Sequence, residues 1–197
     1  MEKLHDDLEA PVLLIALPQV RDPYFHRSVV LLLSHGAEGS FGFIINRPTG
    51  IHISEILQGM SISWGGPSDV LAYFGGPVQP QLGSVVFIPT SEGQVEESHA
   101  TEALPGVWVT QQITDLEGLA VDPPASLRLF LGYAGWGSEQ LMQEILRNDW
   151  LTAPVQQELI FARDAATVWQ DALRSVGIDP ASLPSWTVAQ VGDQDAN

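Results

Sequence analysis

Between Leu127 and Leu141 the chain changes hydrophobic period, and the change dictates a strand running into a helix. Leu127, Leu129 and Leu131 alternate with Arg128 and Phe130, the two-residue period of a short, mostly buried strand. Leu141, Met142, Ile145 and Leu146 then recur at helical spacing, with Glu139, Gln140, Gln143, Glu144 and Arg147 mainly on the other side. Gly132, Gly135 and Gly137 separate the two patterns and supply positive φ or room for another backbone. Ser138 stands where a helix N-cap would accept a hydrogen bond from the first turn. A glycine-rich turn over Gly132–Gln140 is predicted.

Such a turn has two readings. Free N–H groups at a helix start make an anion cradle. The spacing here is Gly-x-x-Gly-x-Gly, which is neither the dinucleotide fingerprint nor the phosphate loop, and Glu139 opposes a bound anion. Close packing of backbone on a neighbouring strand accounts for the same glycines, and the charge favours it.

The rest of the chain is a succession of short branched runs broken by Gly and Pro. Strands are expected at residues 12–16, 28–33, 41–46, 70–74, 84–88, 107–111 and 150–155. Residues 35–40 read as a six-residue hairpin loop, residues 46–50 as the close of a strand, and residues 91–104 as an exposed acidic loop. Two Gly-Gly-Pro triplets, at 65–67 and 75–77, are turn punctuation around one strand. Ser54 opens a short helix with Ile56, Leu57 and Met60 apolar. Thr114 and Glu117 match a capping box for another, which stops before Pro123-Pro124. Asp164 caps a third in which Ala165, Val168, Trp169, Ala172, Leu173 and Val176 keep helical period, with Gly177 as its C′ residue. Strands outnumber helices and come in groups, which is α+β organisation within a single domain spanning 1–197; residues 1–10 and 192–197 are its expected flexible ends.

Charge excludes whole classes of partner. Twenty-four acids against eight bases leave a net −16, and Lys3 is the one lysine. That surface repels phosphate backbones and anionic membranes, so direct nucleic-acid or membrane binding is not expected. With no cysteine there is no disulfide, thiolate nucleophile or Cys-ligated zinc. Apolar runs such as Val12 to Leu17 are too short for a signal or span, and a cytoplasmic protein is expected.

Chemistry-bearing patterns are sparse. His26, His35 and His52 with Asp22 and Glu38 form no compact ligand set, so no metal is expected, and no cofactor signature is present. None of the serines lies in Gly-x-Ser-x-Gly; Ser138 is the nearest echo of a nucleophile elbow, and capping explains it as well. Arg47, at a strand end, reads as half of a structural ion pair or as a fork for a carboxylate or phosphate. Tyr133 and Trp136 fill the core or line a pocket.

Several segments together carry a resemblance. Asp22-Pro23-Tyr24-Phe25 with Ser28-Val29, Gly42-Phe43-Ile44-Ile45-Asn46-Arg47-Pro48, Gly75-Gly76-Pro77-Val78, Phe130 to Trp136 with Gln140-Leu141 and Glu144-Ile145, and Trp150 resemble the bacterial YqgE/AlgH family in order and spacing over nearly the whole chain. The resemblance implies one α/β domain, a mixed sheet curled into a barrel-like form with helices outside, in a cytosolic bacterial protein. It implies no reaction, and the family's regulatory label derives from gene context in alginate production. Two departures stand out: Met142 sits where members often carry an acid, and Val86-Phe87-Ile88-Pro89 where they often carry Leu-His.

These readings converge on a binding or regulatory module for an unknown small molecule or protein partner, working without direct DNA contact. Its candidate site lies where Asn46 and Arg47 meet the Gly132–Gln140 turn: Gly132, Tyr133, Gly135, Trp136, Gln140 and Glu144. The alternative is a small-molecule hydrolase at that turn, with Ser138 or a water activated by His35 or Glu144.

Overall fold

Both faces of the first strand are buried, which is why its sequence shows no alternation. The computed structural model describes residues 8–184. In β1 (Val12–Ala16), Leu13 and Ile15 enter one core while Leu14 and Ala16 enter another. The next strand, β2 (Val29–Gly36), divides Val29 and Leu31 from Val30 and Leu32 in the same way. It turns into β3 (Gly39–Ile44) with His35 opposite Ser40 and Gly36 opposite Gly39, so the predicted hairpin forms and its loop shrinks to Ala37 and Glu38.

After β3 come β4 (Pro48–His52), α1 (Ile53–Gly59), β5 (Leu71–Phe74), β6 (Val78–Phe87), α2 (Gly93–Glu96), β7 (Thr101–Leu104), β8 (Val107–Thr110) and α3 (Ile113–Val121). The chain closes with β9 (Leu127–Trp136), α4 (Gln140–Leu146), β10 (Trp150–Ala153), α5 (Gln157–Ile160), α6 (Val168–Ser175) and a 3₁₀ turn at Pro180–Ser182. One mixed sheet runs β10-β1-β2-β3-β9-β6-β8-β7, with β5 parallel to β9 and β4 beyond β5. The sheet curls into a half-barrel within a single α+β domain. Leu33, Ser34 and Phe41 share a cleft with Thr101 and Val109, although β9 and β6 separate their strands in the sheet order. That face is therefore concave. Leu159 and Ile160 of α5 and Val168, Trp169, Ala172 and Leu173 of α6 plug it. Ile53, Leu57, Leu116 and Leu119, from α1 and α3, cover one part of the convex face, and Leu141 of α4 covers another.

The first part of the expected glycine turn is strand, and the chain turns only over residues 137–139. β9 continues to Trp136 because Gly132 absorbs the irregularity, with φ of +69°. Phe130 and Tyr133 both face the α5–α6 core, whereas Leu129 and Leu131 face α1 and α3, and Ala134 and Trp136 face α4. Alternation thus slips by one residue at Gly132, the behaviour of a β-bulge. A Cβ on Gly132 would lie 2.4 Å from the Gly76 carbonyl oxygen, and one on Gly76 would lie 2.1 Å from the Tyr133 carbonyl carbon. Backbone packs on backbone here, which is the packing reading of these glycines.

Other local expectations fail for equally local reasons. Ser138 caps nothing; α4 is entered through Glu139 at φ of +63°. The Thr114–Glu117 capping box does not form, and α3 starts behind Gln112 with no side-chain cap. The acidic stretch 91–104 holds α2 and β7, and Pro48-Thr49-Gly50 belongs to β4. Asp164 Oδ1 accepts from Ala166 N at 2.9 Å, but α6 begins only at Val168. Its C-terminus is as predicted: Gly177 has φ of +80°, Gly177 N–H reaches Arg174 O at 2.9 Å and Ile178 N–H reaches Leu173 O at 3.1 Å, a Schellman closure. Of the expected flexible ends, residues 1–7 and 192–197 lie outside the described residues, and Leu8 packs against the core around Trp136.

Candidate functional site

β1 pairs with β10 so that Ala16 sits opposite Trp150, and this brings the loop after β1 beside the loop after α4. Between them lies a cleft of about 380 Å³ whose floor is Trp136, Trp150 and Glu144 and whose rim includes Arg21, Asp22 and Arg147. Both indoles donate to Glu144 Oε2, each at 2.8 Å, and Gln140 Nε2 donates to Oε1 at 2.9 Å. Three N–H donors therefore saturate most of one half-buried carboxylate, and they join β9, α4 and β10 through it. Arg147 clamps Asp149 Oδ2 through Nε at 3.1 Å and Nη2 at 2.8 Å on the same rim.

Phe25 roofs the floor, with its ring centroid 5.9 Å from Trp136 and 5.6 Å from Trp150. Its loop is built by the Asp22-Pro23 turn: Asp22 Oδ1 accepts from Tyr24 N at 2.8 Å, and Asp22 O accepts from His26 N at 2.8 Å. Asn46 anchors the loop from behind, accepting from Val29 N and donating to Arg27 O, both at 2.9 Å. Arg47 donates to the His26 carbonyl. The predicted ion pair of Arg47 is not made; among the described residues its fork holds backbone instead of a carboxylate.

The predicted site residues thus divide. Gly135, Trp136, Gln140 and Glu144 line the cleft. Asn46 and Arg47 do not line it; they hold the loop that does. Gly132 is packed against Gly76, and the bulge turns Tyr133 to the concave face, where it meets Phe41 at 4.9 Å. Sequence reasoning missed Gln19, Arg21, Asp22, Phe25, Arg147 and Trp150 as neighbours, since only the β1–β10 pairing joins them. The resemblance had flagged Asp22, Phe25 and Trp150, without saying what they do.

Neither the anion cradle nor a Ser138 nucleophile with its base is assembled at the turn. Gly137 N–H, which an anion cradle would need, is taken by Gln140 Oε1 at 3.1 Å. Ser138 makes no hydrogen bond to His35 or Glu144; His35 Nδ1 lies 2.7 Å from Ser40 Oγ, its cross-strand neighbour. Among the described residues no group of three or more His, Asp or Glu is placed to hold a metal. Two groups outside the cleft have displaced titrations. Burial pushes the Asp115 carboxyl up, but the Thr110 hydroxyl and the His99 N–H and ring outweigh it, leaving Asp115 below its ordinary value. Burial lowers Arg128, whose guanidinium lies over the Tyr73 ring.

The sequence model of a family described as AlgH-like matches residues 13–181. This chain belongs to the AlgH-like family. A UPF0301 protein of Myxococcus xanthus is 39% identical over 175 residues, covering 88% of this chain and 94% of that protein. A UPF0301 protein of Paracoccus denitrificans is 38% identical, covering 87% and 91%. Among solved structures, the AlgH protein of Pseudomonas aeruginosa superposes with a TM-score of 0.72 at 28% identity, covering 91% of this chain and 94% of its own. A protein of Corynebacterium diphtheriae gives 0.70 at 26%, covering 88% and 89%. The resemblance read from the motifs is thereby established, and with it a bacterial family. Val86 and Phe87, in the Val86-Phe87-Ile88-Pro89 segment that the resemblance sets against Leu-His, are both fully buried in β6. That position supplies packing.

Proposed function

We propose that this AlgH-like chain is a cytoplasmic binding module whose ligand or protein partner seats in the Trp136–Trp150–Glu144 cleft. The observation that carries the reading is Glu144: its engaged oxygens leave it poorly placed as a catalytic base, while they fix the floor of a cleft rimmed by Arg21 and Arg147. Preorganised floors with mixed polar rims are what small-molecule recognition needs. Two arginines on one rim are notable in a chain with eight basic residues and a net charge of −16. Any regulatory role then runs through that ligand or partner, because the surface charge repels DNA directly. No helix among the described residues is long and apolar enough to cross a membrane.

The test is native mass spectrometry of the full chain after incubation with a host metabolite extract, alongside Arg21→Ala, Arg147→Ala and Gln140→Ala. A retained mass lost in all three variants, with melting temperatures within about 3 °C of the parent, supports the reading. A retained mass indifferent to all three, or none in the parent, overturns it. A gel shift at low salt that formed a DNA complex would overturn the exclusion of nucleic acid.

A further inference from the structure

The concave face of the half-barrel is not filled to its rim. α5 and α6 plug its inner part, and beyond them an aromatic row runs outward along β9 and β3. Tyr73 meets Phe130 at 6.0 Å, Phe130 stacks on Phe43 at 5.0 Å, Phe43 meets Phe41 at 5.1 Å, and Phe41 meets Tyr133 at 4.9 Å. The two ends of this row are treated differently. At the inner end the protein supplies its own cation: the Arg128 guanidinium lies 4.7 Å from the Tyr73 ring centroid. At the outer end Phe41 and Tyr133 are half-buried and line an open cleft of about 470 Å³ with Ser34, Glu38, Val78 and Gly135. Ser34 and Phe41 also line an adjoining cleft of about 500 Å³ that reaches across to Thr101, Glu102 and Gln111.

The geometry points to this mouth as a binding site for a small organic cation, an ammonium or guanidinium group carried on a flat apolar body. Three independent features specify that chemistry. Aromatic faces attract cations through their quadrupole, and flat apolar groups stack on them. The fixed charges on the two clefts are Glu38 and Glu102; no Lys or Arg lines either one, unlike the Glu144 cleft with its two arginines. Glu38 makes no ion pair or hydrogen bond among the described residues, and Glu102 spends one oxygen on Gly106 N at 2.8 Å. His99, the one lining side chain able to take up a positive charge, faces the buried Asp115 at 3.5 Å. Finally, Gly135 leaves the Tyr133 ring edge uncovered: a Cβ there would stand 3.2 Å from Cε2. Ser34, Thr101 and Gln111 supply polar contacts for an N–H donor. The mouth shares Gly135 and Trp136 with the lining of the Glu144 cleft, but its rings, Phe41 and Tyr133, and its acid, Glu38, do not line that cleft.

The experiment is amide chemical-shift titration of the full chain with three phenyl probes of similar size: phenethylammonium, 2-phenylethanol and phenylacetate. Phenethylammonium is expected to shift Ser34, Phe41, Tyr133 and Gly135 saturably, at least about tenfold more tightly than phenylacetate, with the alcohol between. Glu38→Gln should weaken the cation about threefold and leave the alcohol unchanged. Gly135→Val should fill the mouth and abolish all three; should that variant unfold, Tyr133→Leu, which removes the outer ring, makes the same comparison. Equal affinities for the three probes, shifts centred on Trp150 and Glu144 instead, or no saturation below about 10 mM would each overturn the assignment.

Discussion

The indole N–H groups of Trp136 and Trp150 converge on a single oxygen, Oε2 of Glu144, at 2.8 Å each. The first indole belongs to the central strand β9 and the second to the edge strand β10, so one carboxylate ties the middle of the sheet to its margin. Glutamine at this position keeps one oxygen for both indoles but turns an NH₂ toward Gln140 Nε2, donor against donor. Leucine leaves all three donors unmatched. Calorimetry should show Glu144→Gln losing about 1–2 kcal/mol and Glu144→Leu about 3–4 kcal/mol, with a fall in melting temperature of roughly 5–15 °C for the latter. If both variants melt with the parent, the carboxylate does not organise the cleft floor.

Asn46 and Arg47 act on the cleft through the loop they hold. Asn46→Ala removes two bonds to backbone, one to Val29 N and one to Arg27 O. The expected loss is about 1–3 kcal/mol, concentrated locally. Hydrogen exchange should therefore accelerate over residues 22–29 more than in β6 or β8. Uniform acceleration across the sheet would show that Asn46 supports the whole fold and not this loop.

Gly132 and Gly177 separate backbone strain from steric clash. Both have positive φ, +69° and +80°, but nothing lies within 4 Å of a Cβ on Gly177, whereas a Cβ on Gly132 meets Gly76 O at 2.4 Å. Gly177→Ala should cost about 1 kcal/mol and Gly132→Ala about 3 kcal/mol or more. Equal costs in urea unfolding would mean that the β9 bulge relaxes around a methyl group.

What was legible in the sequence was what neighbouring residues decide among themselves. The apolar run at residues 12–16 is β1, and Gly177 closes α6, because burial on both faces and a left-handed C′ residue leave local traces. The bulge at Gly132 left none: the residue that demands it, Gly76, is more than fifty positions away in the chain. Read as a turn, Tyr133 and Trp136 make one wall; as strand residues three apart they face opposite sides of the sheet, and the bulge decides that Tyr133 takes the concave one. Ser138 looked like a cap for the same reason, since the chain enters α4 through a left-handed Glu139 that its side chain does not announce. Glu144 could be flagged by resemblance, but its partner Trp150 became a partner only through the pairing of β1 with β10.

Asp115 gives the fold a sensitivity to acid that can be isolated. Its carboxylate, in the first turn of α3, accepts from the Thr110 hydroxyl and from His99 N at 3.1 and 3.2 Å, joining the end of β8 to the residues before β7. Its folded-state pKa lies below the ordinary value: burial works against ionisation, but the Thr110 and His99 bonds win. A depressed carboxylate stabilises the fold while it is ionised, so its contribution is fully present above the unfolded pKa, about 3.9. That contribution is lost as pH falls through the lower, folded value. Asp115→Asn cannot titrate and should sit about 2 kcal/mol below the parent at pH 7, with the gap narrowing as pH drops below about 4. Paired urea unfolding curves from pH 7 down to about 3 measure this difference directly. A gap that stayed constant over the range would show that the Asp115 network contributes shape and hydrogen bonding without its charge.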